Sequence, residues 1–262
     1  MDPAHKPDEG IARESLPEPL YRAIVFLFSQ DVPDAMLVGG SALSGFYAGH
    51  RRSDDLDIFV RSPLSFQQMI LAVRALKDLG AEVHEGTHSQ HYYRAICTLE
   101  GHTFTIDVVV DATVFEVGAW HLTDSGVCVA DLATLFKMKS ATLLSRCSEK
   151  DLFDLQWLFS MFPEKTTLSL MEAGSCIDGG MSAENLLYSI SSATLNQDAC
   201  GFGLKPGDTP AVVYERVSLF REQLTREFDG LLTNSRPTEL GQIVARLRKL
   251  KGKEGECLER ED

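Results

Sequence analysis

The sequence predicts an α/β unit, a mixed sheet with flanking helices, followed by a helical lobe. Three observations carry that prediction. The first half holds short alternating apolar runs bounded by glycine turns, a pair of aspartates opens one of those runs, and from about Asp131 the apolar residues recur at helical spacing. With 262 residues, 44% hydrophobic and 24% charged and without a low-complexity tract, the chain has the composition of a globular protein able to bury a sizeable core. The expected division is 16–125 for the first domain and 126–250 for the helical one, with 1–15 and 251–262 as flexible termini.

Taken in order, Met1 to Ser15 reads as a loose lead-in, and Leu20, Ile24, Leu27 and Phe28 predict a helix over 16–30. Ala35 to Val38 is a short apolar strand running into Gly39-Gly40, after which Ser41 opens a short helix over Ala42 to Gly49. Leu56 to Val60 alternates as a strand does. Phe66, Met69, Ile70, Val73 and Leu76 form a helical stripe that stops at Gly80. Tyr92 to Leu99 and Thr103 to Val110 are two strands joined by Glu100-Gly101-His102. Helices follow near 131–146, 149–161, 182–195, 211–230 and 237–250. Pro163 to Gly180, rich in Thr, Ser and Gly, reads as a surface loop, and the charged stretch from Lys249 to Asp262 as frayed.

Composition also excludes function classes. A net charge of −13 argues against a surface that is a nucleic-acid footprint throughout, though it leaves room for a local basic patch. The six cysteines lack a C-x-x-C pair, so they read as free thiols rather than as a zinc or redox site. Apolar stretches such as Ala23 to Phe28 fall short of the roughly 18 to 20 residues of a membrane span. The N-terminus has Asp, Glu, Pro and Gly where a signal peptide has a basic end and an apolar run, so the expected location is the cytoplasm, with no membrane partner.

The most informative stretch runs from Gly39-Gly40-Ser41 to Asp55-Leu56-Asp57. Asp55 and Asp57 are two apart at the start of a strand, so both carboxylates project from one face while Leu56 and Ile58 point to the other. Such a pair suits a hard cation that shares its shell with phosphate oxygens, and Mg²⁺, in one or two ions, is the expected cofactor. Asp107 is the candidate third carboxylate, on a strand where Phe104, Ile106, Val108 and Val110 alternate with it; Asp111 is the reserve. In the Gly39-Gly40-Ser41 turn, small residues let the backbone approach a phosphate, and the Ser41 hydroxyl is a candidate contact. Gly-Gly-Ser after a strand is also an ordinary turn and cap, and a lone D-x-D is often a solvated strand end. Three such accidents in one strand-turn-helix-strand series are harder to obtain than one site.

That series resembles the nucleotidyltransferase superfamily pattern of G-[GS], D-x-[DE] and a later lone acidic residue. More narrowly, Gly39-Gly40-Ser41-Ala42-Leu43 through Tyr47-x-Gly49-His50-Arg51-x-Ser53-x-Asp55-Leu56-Asp57 is similar to the AbiEii/AbiGii family, toxin components of type IV toxin-antitoxin (abortive infection) systems. The resemblance covers roughly residues 35–160 and implies a nucleotidyltransferase fold. It implies transfer of a nucleoside monophosphate from a nucleoside triphosphate, GTP or a pyrimidine triphosphate, to an acceptor such as tRNA, and a cognate antitoxin encoded nearby. It also draws in Ser53, which matches a serine beside the metal site, and the basic residue before it, which falls on Arg52 or Arg51; Arg52 is taken into the nucleotide-binding set. In the helical half, Lys139, Arg146, Asp151 and Asp154 resemble the family's Lys, Arg and Asp-x-x-Asp series. Lys139 and Arg146, seven apart on one helix face, are expected to meet a polyphosphate across the cleft, with Lys139 also in the catalytic set. Asp151 and Asp154 are secondary candidates, and Ser148-Glu149-Lys150-Asp151 has an alternative explanation as a helix cap. The competing readings are a small-molecule transferase of the antibiotic type and a non-catalytic nucleotide-binding module.

His84-Glu85-Gly86-Thr87-His88 fits the H-E-x-x-H zinc pattern, which works only on a helix. Gly80 ends the preceding helix, Gly86-Thr87 are poor helix formers and a strand follows, so a loop or hairpin is expected here.

Overall fold

The computed structural model describes residues 6–233 and 236–258, with side chains described as far as Lys249. Seven strands, β1 (Ala35–Val38), β2 (Asp55–Val60), β3 (Glu82–His88), β4 (Tyr92–Leu99), β5 (His102–Val110), β6 (Trp120–Leu122) and β7 (Cys128–Ala130), make one sheet in the order β3-β4-β5-β2-β1-β7-β6. β2 runs parallel to β5 and β1 parallel to β7, and the other neighbours are antiparallel. The expected mixed α/β sheet is therefore present.

Alternation decides which face each strand buries. Leu56, Ile58 and Val60 of β2 and Phe104, Ile106 and Val108 of β5 are buried, and the helices α2 (Glu18–Phe28) and α4 (Pro63–Ala75) pack against these strands. Leu20, Ile24 and Leu27 of α2 and Phe66, Met69 and Val73 of α4 are all buried in this core, where the two helices touch. Asp55, Asp57 and Asp107 belong to the other face. Gly80, at φ +85°, ends the single 3₁₀ turn after α4, and Glu100-Gly101, both at positive φ, make the tight turn of the β4–β5 hairpin.

Several segments differ from the sequence expectation. Glu9–Ser15, read as lead-in, forms α1, capped by Asp8 and anchored by Ala12 and Leu16; Gly45 has no Cβ, which would lie 2.8 Å from a Leu16 methyl. Two buried apolar residues are too few to register as a stripe. α3 (Gly39–Leu43) begins at the first glycine of the turn and passes into one π-helical turn over Ser44–Ala48. α5 (Ala112–Val117), β6 and β7 extend the first half beyond the last strand expected.

By compactness the chain divides within α6 (Leu132–Ser145), between Leu135 and Phe136, rather than at 125/126, because β6 and β7 belong to the sheet. Phe202–Pro206 joins the first unit. The second unit holds the rest of α6 with α7 (Glu149–Met161), α8 (Thr167–Ser175), α9 (Ala183–Ser192), α10 (Pro210–Leu232) and α11 (Leu240–Leu258). α8 lies inside the stretch read as a loop: a reciprocal Thr166–Ser169 capping box starts it and Leu170 is buried, but its Ser and Gly content masks the pattern. The α11 backbone remains helical through Leu258, past the residue where fraying was expected to begin. Among the core contacts of this unit Phe159 meets Phe220 edge to face at 5.2 Å. Among the described residues no helix is long and apolar enough to cross a membrane. Cys97, Cys128, Cys147, Cys176 and Cys200 are free thiols, and Cys257 lies outside the described side chains.

Candidate active site

The parallel register of β2 with β5 sets Asp57 opposite Asp107 and Asp55 opposite Thr105. Partner residues in a parallel pair project to the same face, so three carboxylates from two strands share one patch of sheet. Each is held differently. The Thr105 hydroxyl donates to Asp55 Oδ1 at 2.6 Å. Tyr92 donates its hydroxyl to Asp107 Oδ1 at 2.7 Å, and Arg94 Nη1 lies 3.6 Å from Asp107 Oδ2. Burial and the Asp107 carboxylate push the Tyr92 phenol above its ordinary range, which keeps it a donor.

Asp57 is seated by the turn that follows its strand partner Val38. Gly39 has φ +68°, and a Cβ there would lie 1.9 Å from Asp57 Oδ2. A Cβ on Gly40 would lie 2.4 Å from Arg51 Nη2 and 2.9 Å from Ser53 Oγ. The two glycines thus make room for a carboxylate and a guanidinium, a use of small residues that spacing alone does not reveal. Ser41 is fully buried and donates its hydroxyl to the Asp55 carbonyl, tying the Gly-Gly turn to the D-x-D strand.

Of the two arginines before Ser53, Arg51 turns inward, at 2% exposure, and Arg52 faces solvent. Arg52, the residue taken into the nucleotide-binding set, thus lies on the exposed side of this turn. The cause is a distant segment: Arg51 bridges to Gly203, Arg52 N donates to the Phe202 carbonyl at 2.8 Å, and Leu204 N donates to the His50 carbonyl at 3.3 Å. This pairing fixes which side chain points in. Arg51 Nη1 donates to the Arg52 carbonyl at 2.9 Å, and Ser44 donates its hydroxyl to the Arg51 carbonyl. Asp111, the reserve carboxylate, lies beyond β5 as the N-cap of α5, accepting from Val114 N at 3.2 Å.

The second unit gathers the other four candidates. Lys139 Nζ lies 3.0 Å from Asp151 Oδ1 and 2.8 Å from Asp154 Oδ2, with the two aspartates 1% and 0% exposed. Arg146, 71% exposed, places Nε 3.3 Å from Asp151 Oδ2, to which Ser148 Oγ donates at 2.6 Å. Ser148 is also the N-cap of α7, accepting from Asp151 N, so the capping explanation and the charge cluster coexist. Burial raises the Asp151 pKa, but the charges of Lys139 and Arg146 and the hydrogen bonds from Ser148 and Lys139 outweigh it and hold the carboxyl below its usual range.

The H-E-x-x-H segment lies on the edge strand β3 of a hairpin, and Glu85 there forms a two-pronged ion pair with Arg74 at 2.9 and 2.8 Å. Among the described residues no three His, Cys, Asp or Glu side chains are grouped tightly enough to ligate one ion as they stand. The Asp55–Asp57–Asp107 patch nonetheless offers only oxygen donors, from adjacent strands and with Asp57 cradled by a glycine, which is the donor chemistry a hard cation takes.

A family model described as nucleotidyl transferase AbiEii toxin, type IV toxin-antitoxin system, matches residues 22–176, more than half of the chain. The chain belongs to this family. It is a nucleotidyltransferase of the AbiEii toxin type. Among solved structures, this AbiEii chain shares its fold with MenT4, a nucleotidyltransferase toxin from Mycobacterium tuberculosis, at 15% identity over 87% of this chain and 97% of that one, with a TM-score of 0.50. A Helicobacter pylori protein, solved as a candidate nucleotidyltransferase, aligns at 18% identity over 82% and 95% of the two chains, with a TM-score of 0.46. JHP933, also from Helicobacter pylori, aligns at 17% identity over 85% and 95%, with a TM-score of 0.43. No curated protein matches the chain. The matched span contains both the D-x-D patch and the Lys139 cluster.

Proposed function

We propose that this chain transfers a nucleoside monophosphate from a nucleoside triphosphate, GTP or a pyrimidine triphosphate, to a hydroxyl of RNA, with tRNA as the acceptor. It does so as the cytoplasmic toxin of a pair whose antitoxin is encoded nearby. The observation that carries the reading is the register of Asp57 against Asp107 on an accessible sheet face, with Asp57 seated in the Gly39 turn.

Asp55 and Asp57 would hold Mg²⁺, as one ion or two, with Asp107 completing the donor set. When bound, the metal supplies positive charge that neutralises the triphosphate and lowers the pKa of a coordinated hydroxyl. In the reaction itself the acceptor oxygen forms a bond to the α-phosphorus, the bond to the pyrophosphate oxygen breaks, and the acceptor proton passes to Asp107. Tyr92 holds Asp107 Oδ1 and so fixes the carboxylate, with Oδ2 beside Arg94 at the edge where the acceptor arrives. Thr105 orients Asp55 in the same way. Gly39, Gly40, Ser41 and Ser53 form the phosphate side of the site. Ser41 acts there by bracing the turn against Asp55. In the helical unit, Lys139 and Arg146 are the candidate anion-binding pair. The support for Lys139 is that two buried carboxylates, Asp151 and Asp154, keep its ammonium charged and fixed.

The test is incubation of the protein with Mg²⁺, each α-³²P-labelled nucleoside triphosphate and total tRNA. Wild type is expected to label tRNA from one nucleotide, and Asp57→Asn, with an unchanged circular dichroism spectrum, to lose at least about a hundredfold in rate. Transfer retained by the folded Asp57→Asn variant would sink the assignment. Label on a small-molecule acceptor and none on RNA would transfer the reading to the antibiotic-type alternative.

A further inference from the structure

The cross-strand row that carries Asp57 and Asp107 continues one strand further. In the antiparallel pairing of β4 with β5 the partner of Asp107 is Arg94, so Asp57, Asp107 and Arg94 stand abreast on neighbouring strands. The Gly39 turn opens directly after Val38, on the β1 side of Asp57, whereas Arg94 lies on the opposite side of Asp107. Strands are spaced about 4.8 Å apart, so Arg94 is displaced from Asp57 by roughly two strand widths, away from the turn. If the turn is the nucleotide side, the Arg94 side is where an acceptor approaches.

Arg94 is tied to the site along one edge only, where the Tyr92 phenol and the Asp107 and Asp55 carboxylates hold its guanidinium charged. Its Nη1 is 3.6 Å from Asp107 Oδ2, beyond hydrogen-bond length, and its side chain is 43% exposed. Tyr92 already anchors the other Asp107 oxygen. A solvent-facing guanidinium presents a fork of donors matched to phosphate. One row along, Ile96 pairs with Thr105 and is 46% exposed, an apolar spot on the same open face against which a ribose or base can lie.

We infer that Arg94 is a specificity-determining residue that binds a phosphate of the acceptor beside the attacking hydroxyl. This rests on the nucleotidyl-transfer reading for the direction of approach.

The experiment measures binding of a 5′-fluorescein single-stranded oligoribonucleotide to the full chain by anisotropy, without nucleotide, for wild type, Arg94→Ala and Arg94→Lys. Binding of a fluorescent nucleoside triphosphate is measured in parallel. Arg94→Ala is expected to weaken RNA binding roughly tenfold, as loss of one charge-assisted contact should. The same variant should flatten the salt dependence by about one phosphate contact. Arg94→Lys should recover part of the affinity, and nucleotide binding should fall by much less than RNA binding. Equal RNA affinity for wild type and Arg94→Ala overturns the inference, as does a wild type that binds no RNA. An equal loss of nucleotide and RNA binding also overturns it, since that pattern means Arg94 only props the carboxylates. Arg94-dependent RNA binding without any label transfer supports the inference while sinking the transfer reading.

Discussion

Two charge clusters in this molecule have opposite designs. The patch on the sheet gathers Asp55, Asp57 and Asp107 on an accessible face, and the hydroxyls of Thr105 and Tyr92 hold two of them. The cluster in the helical unit pairs Lys139 and Arg146 with Asp151 and Asp154, so its charges cancel, and both aspartates are buried. The carboxylates of the sheet patch lie on a partly exposed face, where hydroxyls and a half-exposed Arg94 hold them. Buried charges must be balanced within the protein or they destabilise it. The first cluster keeps an open side, and the second is bound up with folding.

The sharpest way to break this comparison is Lys139→Met. It strands two buried carboxylates and is expected to cost about 3 to 5 kcal/mol of stability, read from the urea midpoint. A variant as stable as wild type would mean that the helical cluster is not structural. The next effect should come from Gly39→Ala. An alanine at φ +68° would place its methyl into Asp57, and the expected penalty is about 1 to 3 kcal/mol, with nucleotide binding reduced alongside. Unchanged nucleotide affinity would show that the cradle around Asp57 is dispensable.

The smallest effect is acid sensitivity. Asp151 titrates below its ordinary value when folded, so its contribution is present above the unfolded pKa of about 4 and is lost as pH falls through the lower folded value. Urea midpoints of wild type and Asp151→Asn should differ at pH 6 and converge as pH falls below about 4. A gap that stays constant down to pH 3 would contradict the pairing of Asp151 with Lys139 and Arg146.

The patch on the sheet was largely legible because its determinants are local. Leu56-Asp57-Ile58 and Ile106-Asp107-Val108 state their own faces through alternation, and a positive-φ glycine after Val38 marks the turn. What escaped reading depends on partners far along the chain. Nothing near Arg51-Arg52 says which side chain turns in, since the pairing with 202–204 decides it. Tyr92 and Arg94 look like ordinary strand residues until the β4–β5 register sets them beside Asp107. β6 and β7, at three residues each, are too short for a period to show. α8 was hidden by the Ser and Gly in its sequence, although Thr166 and Ser169 carried the capping signal.

The pairing of His50–Arg52 with Phe202–Leu204 also dictates an order of events during synthesis. β1, β2 and β5 leave the ribosome well before the strap that aims Arg51. The first unit is complete only after Pro206 has emerged, late in translation. A fragment that stops after the sheet would leave the loop before the D-x-D strand without its clasp.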